Sequence, residues 1–383
     1  MRRSRYTVFG SEEIDRTIDS HMKTLVSTSL ATVGEGNLSA IILGGGYGRG
    51  EGGVTIRDGK ETLYNDYDIF VVSNGLSMSG KREMNAKFKE ISARLSEEFG
   101  IEVDFSPLKN VSELSCLDYE MVWYEGKKGH IVLWGDEHVF GAIPGWDIRN
   151  MPHAEAARLL MNRGMGLLLA SSKLRDCGSD NAALEFIERN AWKAVMASGD
   201  TFLILKSRYD SSYVKRGENF KMLSPADLIA AGSELCEYYA QSIHYKLSPP
   251  AHPSDRDKCT ELLGKATELL LNAYLPVASS ICGEDIQSFA QLPSRLPDLT
   301  PTPGPKSRLK NIVLNILKFK GGAGFSGARI IKHPRSRIFA AIPYFLGADV
   351  NSSEIDGLLC EMPDNPDDEI RFARLKGLWE RFS

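Results

Sequence analysis

The sequence predicts an α+β protein, with a small mixed-sheet domain followed by a helical bundle. Three observations lead there. Apolar runs of strand length alternate with helix-period segments up to about residue 150, and only helix-period patterning follows from His153 onward. The first region also holds a glycine-rich turn and a strand that carries Asp66 and Asp68. At 383 residues the chain is long enough for two domains or three, and 42% apolar with 25% charged residues is ordinary for a globular protein.

Ser11-Glu12-Glu13-Ile14 starts the first helix: a capping serine and acidic residues in the first turn precede Ile14, Ile18, Met22 and Leu25 at helical spacing. Ser39 to Leu43 is the first strand. Val54 to Tyr64 reads as a hairpin, because Asp58-Gly59 is a favoured two-residue turn between strand-forming residues. Tyr67 to Val72 is the next strand. Lys81 to Phe99 is helical and stops at Gly100. Ile101 to Phe105 alternates apolar and acidic residues and is closed by Pro107; His130 to Trp134 gives a further strand. Residues 153–172, 181–206, 224–245 and 255–275 read as helices. Leu292 to Pro305 carries five prolines and reads as a linker. The expected organisation is a domain at 1–150, a helical domain at 151–290, a proline-rich linker at 291–305 and a basic helical extension at 306–383.

The chemistry lies in residues 41–104. Gly44-Gly45-Gly46-Tyr47-Gly48-Arg49-Gly50 follows an apolar strand, and such a turn brings backbone N–H groups close together, which suits a phosphate. Side chains alternate along a strand, so Asp66 and Asp68 share a face, and two like charges side by side call for a cation. Glu102 and Asp104 share one face of another strand, with Ile101, Val103 and Phe105 on the other. A dicarboxylate beside a phosphate cradle suits metal-assisted phosphoryl or nucleotidyl transfer. A P-loop is excluded because no Gly-Lys-Ser/Thr follows the glycines. A dinucleotide fingerprint on Gly48, Gly50 and Gly53 fails because a hairpin follows, not a helix.

This series, with Asp66-Tyr67-Asp68 and then Asp104, resembles the nucleotidyltransferase superfamily with the DNA polymerase beta-like fold. Its Gly-x-Gly-Arg-Gly flavour is similar to the minimal and antibiotic-modifying members, which pair the catalytic module with a helical bundle. The resemblance covers residues 40–136 by motif and the helical part by pattern alone. It implies that Gly44 and Gly45 hold the triphosphate of an NTP, expected to be ATP. It implies that Asp66 and Asp68 ligate two Mg2+ ions, and that Asp104 helps bind one and activates the acceptor hydroxyl. Arg49, two residues beyond the glycines, is placed for phosphate oxygens. Trp192-Lys193 through Asp200 is similar to the helix such enzymes lay against the active site, where Lys193 would neutralise the leaving pyrophosphate. Asp200 reads more simply as part of an exposed helix face. The interval from Gly45 to Asp66 exceeds the family's usual spacing, and the hairpin would absorb it. The expected activity is Mg2+-dependent transfer of an NMP from an NTP to an acceptor hydroxyl. The alternatives are an inactive scaffold and a toxin-like enzyme modifying RNA or protein.

The net charge of −4 gives no global attraction to nucleic acid. Six scattered cysteines without a CxxC pair argue against a structural zinc site or a disulfide framework, and fit a reducing cytoplasm. The basic N-terminus lacks the apolar run of a signal peptide, and no stretch is long enough to span a membrane. The histidines form no metal constellation, and Trp123, Trp134 and Trp146 are expected in packing. Residues 306–337 hold nine Lys or Arg and no acid. Within them Leu309, Ile312, Val313, Ile316 and Leu317 fall on one side of a helix, expected first to dock on its own protein. The alternative is an anionic partner, a membrane surface or nucleic acid.

Overall fold

The structure is a computed structural model and describes residues 4–176, 180–232, 234–301, 303–319 and 329–382. It is α+β, with a small mixed sheet and many helices. The chain forms two compact units. The first comprises Met1–Asp147 with Asp210–Lys215 and Ile243–His252; the second comprises Ile148–Tyr209, Arg216–Ser242 and Pro253–Ser383.

In the first unit, α1 (Glu12–Val33) begins at Ser11, whose side chain accepts from the Glu13 N–H, and buries Ile14, Ile18, Met22 and Leu25 as its spacing requires. The main sheet comprises β1 (Leu38–Leu43), β4 (Asp66–Ser73), β5 (Glu102–Phe105), β6 (Lys109–Asn110) and β7 (Ile131–Gly135). Its order is β5-β4-β1-β7, with β6 also pairing β4. β1 runs antiparallel to β4 and β7, and β4 runs parallel to β5 and β6. Between β1 and β4 come the short helix α2 (Gly45–Gly48) and the hairpin of β2 (Gly53–Arg57) and β3 (Lys60–Tyr64). The hairpin turns on Asp58 and Gly59, both at positive φ as this tight turn demands.

Both sheet faces are covered, which explains why β1 and β4 read as continuous apolar runs. Ile41, Leu43, Ile69 and Val71 face α1 and α3 (Met78–Phe99, stopped by left-handed Gly100), while Ala40, Ile42, Phe70 and Val72 face Trp123, Phe140 and Leu114. The latter side carries α4 (Val111–Leu114) and α5 (Met121–Lys128). Trp123 is in this core and Trp146 stacks on Tyr119 at 4.8 Å, as packing residues should.

The second unit is built on α6 (His153–Asp176), α7 (Asn181–Leu205) and α10 (Arg256–Cys282), which pack on one another. The single helix expected over 224–245 is not formed. The chain makes α8 (Tyr213–Lys221), then a 3-10 segment Pro225–Ala231, and then α9 (Leu235–Leu247). The Ser224 side chain caps that segment, and Gly232 at φ 81° ends it before α9 begins. α11 (Pro305–Lys318), α12 (Arg335–Phe345), α13 (Ser352–Leu359) and α14 (Asp368–Phe382) complete the unit.

The proline-rich stretch differs from the expected linker. Leu292, Leu296 and Leu299 are buried, the Leu299 N–H donates to Ser336 Oγ, and the compact unit runs through it without a break. Prolines here fix an irregular but packed path. Among the described residues, no helix is long and apolar enough to cross a membrane.

Candidate active site

The acidic cluster is positioned by the sheet. Parallel pairing sets Asp66 opposite Glu102 and Asp68 opposite Asp104, so all four carboxylates emerge on one face of adjacent strands. This is the side of β4 that farther along buries Phe70 and Val72. The apolar residues thus fix the register, and a one-residue slip would bury the acids and expose the core.

The glycine turn lies directly against Asp68. The Gly44 N–H donates to the Asp68 carbonyl at 2.8 Å, so the amide of one of the two expected phosphate-binding glycines is committed to holding the turn on β4. Gly45 has φ 58°, and a Cβ there would lie 1.7 Å from Asp68 Oδ2. Only glycine permits this approach of carboxylate to backbone. Tyr47 anchors the turn from behind. Its buried hydroxyl lies 2.7 Å from the Gly53 carbonyl and 2.9 Å from the Tyr64 carbonyl, and it accepts from the Tyr64 N–H at 3.1 Å. One side chain therefore pins both strands at the hairpin's base, which keeps the long insert from displacing the aspartates.

Electrostatics mark these acids as unlike ordinary surface carboxylates. Burial, then the charge of Asp66, push the Asp68 carboxyl up to about 7; Lys246 and Arg49 pull the other way, and Asp104 adds a smaller upward push. Asp104 is likewise raised, by desolvation and by Asp66, although its side chain is exposed. Each acid is held where its charged form is disfavoured by its neighbours.

The remaining expected residues are distributed as follows. Arg49 is nearly inaccessible: Nη1 pairs with Glu125 Oε2 at 3.2 Å and the guanidinium lies over the Tyr213 ring at 5.3 Å. It contributes positive potential near Asp68 while its side chain is held by these contacts. Lys193 lies half-buried on α7, in the second unit, whereas the aspartates and glycines belong to the first. Asp200 does not lie on an exposed helix face: it is buried, bonded to Arg216 Nη1 at 2.7 Å and to the Tyr239 hydroxyl at 2.6 Å, because these partners match its charge inside the unit. Among the described residues, no group of three or more His, Cys, Asp or Glu is gathered to hold a metal ion, so the three aspartates are neighbours on one face and not a closed cage.

Two residues of this region went unnoticed in the sequence. Lys246, on a segment that returns to the first unit, is the largest cationic influence on Asp68 and lies 5.7 Å from the Tyr213 ring centre. Glu51, just beyond the glycines, is buried and accepts from Ser212 Oγ at 2.5 Å and from the Tyr213 and Val214 N–H groups at 2.8 and 3.4 Å. It ties the 210–215 return to the glycine turn. No local pattern signals either one, because their partners are far along the chain.

Comparison of the chain with protein-family models finds no match, and comparison with curated proteins finds none either. The likeness to nucleotidyltransferases therefore rests on the motif residues themselves.

Proposed function

We propose that this chain is a Mg2+-dependent nucleotidyltransferase, moving an NMP from an NTP to an acceptor hydroxyl with release of pyrophosphate. The observation that carries the reading is Asp68, whose carboxyl is held against the Gly45 backbone beside Asp66 and in register with Asp104. Asp66 disfavours the charge of both Asp68 and Asp104, and neighbouring carboxylates of this kind are donors suited to a hard divalent cation. Asp66, Asp68 and Asp104 would hold it. Bound there, Mg2+ supplies charge neutralisation at the phosphates and a lowered pKa for the acceptor hydroxyl.

The chain's own groups do the rest. The Gly45 turn holds its backbone against the Asp68 carboxylate, an approach that a side chain would block, and so keeps the turn beside the acids. Arg49 and Lys246 supply positive potential at Asp68. Asp104, exposed and raised above the ordinary carboxylate range, takes the acceptor's proton on a carboxylate oxygen. The acceptor oxygen then bonds to the α-phosphorus, and the α–β bridging bond breaks with its electron pair leaving on pyrophosphate.

A second reading is a nucleotide-binding scaffold without turnover, favoured by the absence of a gathered three-ligand group among the described residues and by the Arg49–Glu125 pair. One experiment separates the two. The full chain is incubated with each α-labelled NTP, Mg2+ and a cell extract, and the label is followed to small molecule, RNA or protein. Transfer that disappears in Asp68→Asn supports the enzyme. Equal transfer by Asp68→Asn overturns the assignment of the site, and NTP binding without any transfer supports the scaffold.

A further inference from the structure

α11 is docked by the face opposite to the one its sequence suggests. Asn311 and Asn315 are buried, and their amide groups donate to backbone carbonyls: Asn311 Nδ2 to Ile331 at 3.0 Å, and Asn315 Nδ2 to Ile330 at 3.0 Å and to Lys332 at 2.9 Å. Asn311 Nδ2 also reaches Thr300 Oγ1 at 2.9 Å. A backbone segment without ladder partners needs donors, and the two asparagines one turn apart provide them. The polar side of the helix is thereby turned inward.

The apolar side is turned out. Leu309 is 63% exposed, Val313 47%, Ile316 49% and Leu317 58%. These positions, i, i+4, i+7 and i+8, form one continuous stripe on a helix. The other large exposed apolar side chains are scattered singly over different elements, which is the normal state of a surface; a four-residue stripe is not. Lys306, Arg308 and Lys310 are exposed on the same helix, and the sequence has no acid anywhere between 306 and 337.

We propose that α11 is an interfacial helix that docks this protein on an anionic phospholipid surface. The two features require each other only there: leucine, valine and isoleucine enter the acyl boundary while Lys306 and Lys310 beside them meet lipid phosphates. Nucleic acid would use the cations and leave the stripe in water, and a second copy would use the stripe while setting two sets of cations against each other. The proposal stands independently of the reaction catalysed in the first unit.

Vesicle flotation of the full chain tests it. Vesicles of phosphatidylcholine alone are compared with vesicles containing phosphatidylserine, at low and high salt. Binding is expected to the anionic vesicles, weakened by salt. It should fall about tenfold or more both in Ile316→Asp with Leu317→Asp and in Lys306→Glu with Lys310→Glu. Circular dichroism and thermal melting check that each variant is folded, which is expected because all four positions are exposed. Failure of the folded wild-type chain to float with anionic vesicles overturns the proposal. So does a dimer in sedimentation velocity that Ile316→Asp dissociates, or RNA binding lost in the lysine variant and kept in the apolar one while vesicle binding is absent.

Discussion

Asp200 and Asp68 are both acids set among apolar neighbours, and the fold treats them oppositely. Asp200, 3% exposed, has a guanidinium at 2.7 Å and a phenol at 2.6 Å, so its charge is matched within its own unit. Asp68 has Asp66 beside it and Asp104 across from it, and these raise its carboxyl further after burial has done most of the work. A matched acid completes a structure, whereas an acid set among like charges leaves electrostatic energy for a ligand to relieve. Sequence spacing alone cannot separate the two, since each is an aspartate in an apolar context.

The contrast breaks first on activity. Asp66→Asn or Asp68→Asn is expected to lower nucleotidyl transfer by about a thousandfold or more, the scale of losing several kcal/mol of transition-state charge stabilisation. Single-turnover transfer of α-labelled nucleotide measures it. Asp200→Ala should instead act on the fold: it removes the carboxylate 2.7 Å from the buried Arg216 guanidinium, and the cost is about 3–5 kcal/mol in chemical denaturation. If Asp200→Ala were silent in stability, the distinction between matched and unmatched acids would fail.

Asp68→Asn should move stability in the opposite direction. Its carboxyl rises from an ordinary 3.8 to about 7, so between those values the folded state binds more protons than the unfolded state. Without divalent cations, wild-type stability therefore falls as pH rises from about 4 to about 7 and levels off above, and the asparagine variant lacks this part of the slope. At pH 8 the variant should be the more stable, by something on the order of 1–3 kcal/mol. Mg2+ should stabilise the wild type at pH 8 and leave the variant unmoved. Melting curves at pH 5 and 8, with chelator and with Mg2+, give both comparisons; parallel pH dependences would end the argument for a strained acid.

Glu51 tests the middle case, a buried acid matched by neutral donors. Glu51→Ala leaves the Ser212 hydroxyl and two backbone N–H groups to find other acceptors, at a cost of about 2 kcal/mol, and Glu51→Gln should recover part of it. Urea denaturation of the pair reads the difference.

How far the sequence alone could reach follows from the same contrast between local and distant partners. The β1 and β4 runs, the Asp58-Gly59 turn, the Ser11 cap and the Gly100 stop were legible because each depends on neighbours within a few positions. That Asp66 shares a face with Asp68, and Glu102 with Asp104, was legible from alternation; the parallel pairing that sets Asp68 opposite Asp104 was not, because the register of two strands distant in the chain is set by their packing. Lys246 and Glu51 were not, since their partners are brought near only by the return segments 210–215 and 243–252. The helix expected over 224–245 overlooked the Ser224-Pro225 start and the Gly232 stop within it. α11 was legible as a helix, but its apolar stripe pointed to the wrong docking face, because the need of the 330–332 carbonyls for donors outweighed burial of leucines.

The finest test concerns Lys246. Its charge lowers the Asp68 carboxyl, more than that of Arg49 does, yet both are outweighed by desolvation and Asp66. Lys246→Gln should therefore move Asp68 further up and shift the alkaline limb of the stability profile with it, without touching the backbone contacts that set the Gly45 turn. Carboxyl-carbon NMR titration of Asp68 in the two proteins measures this. An unchanged titration would mean that solvent screens the lysine, leaving Arg49, fixed by Glu125 and Tyr213, as the cation that tunes the acidic cluster.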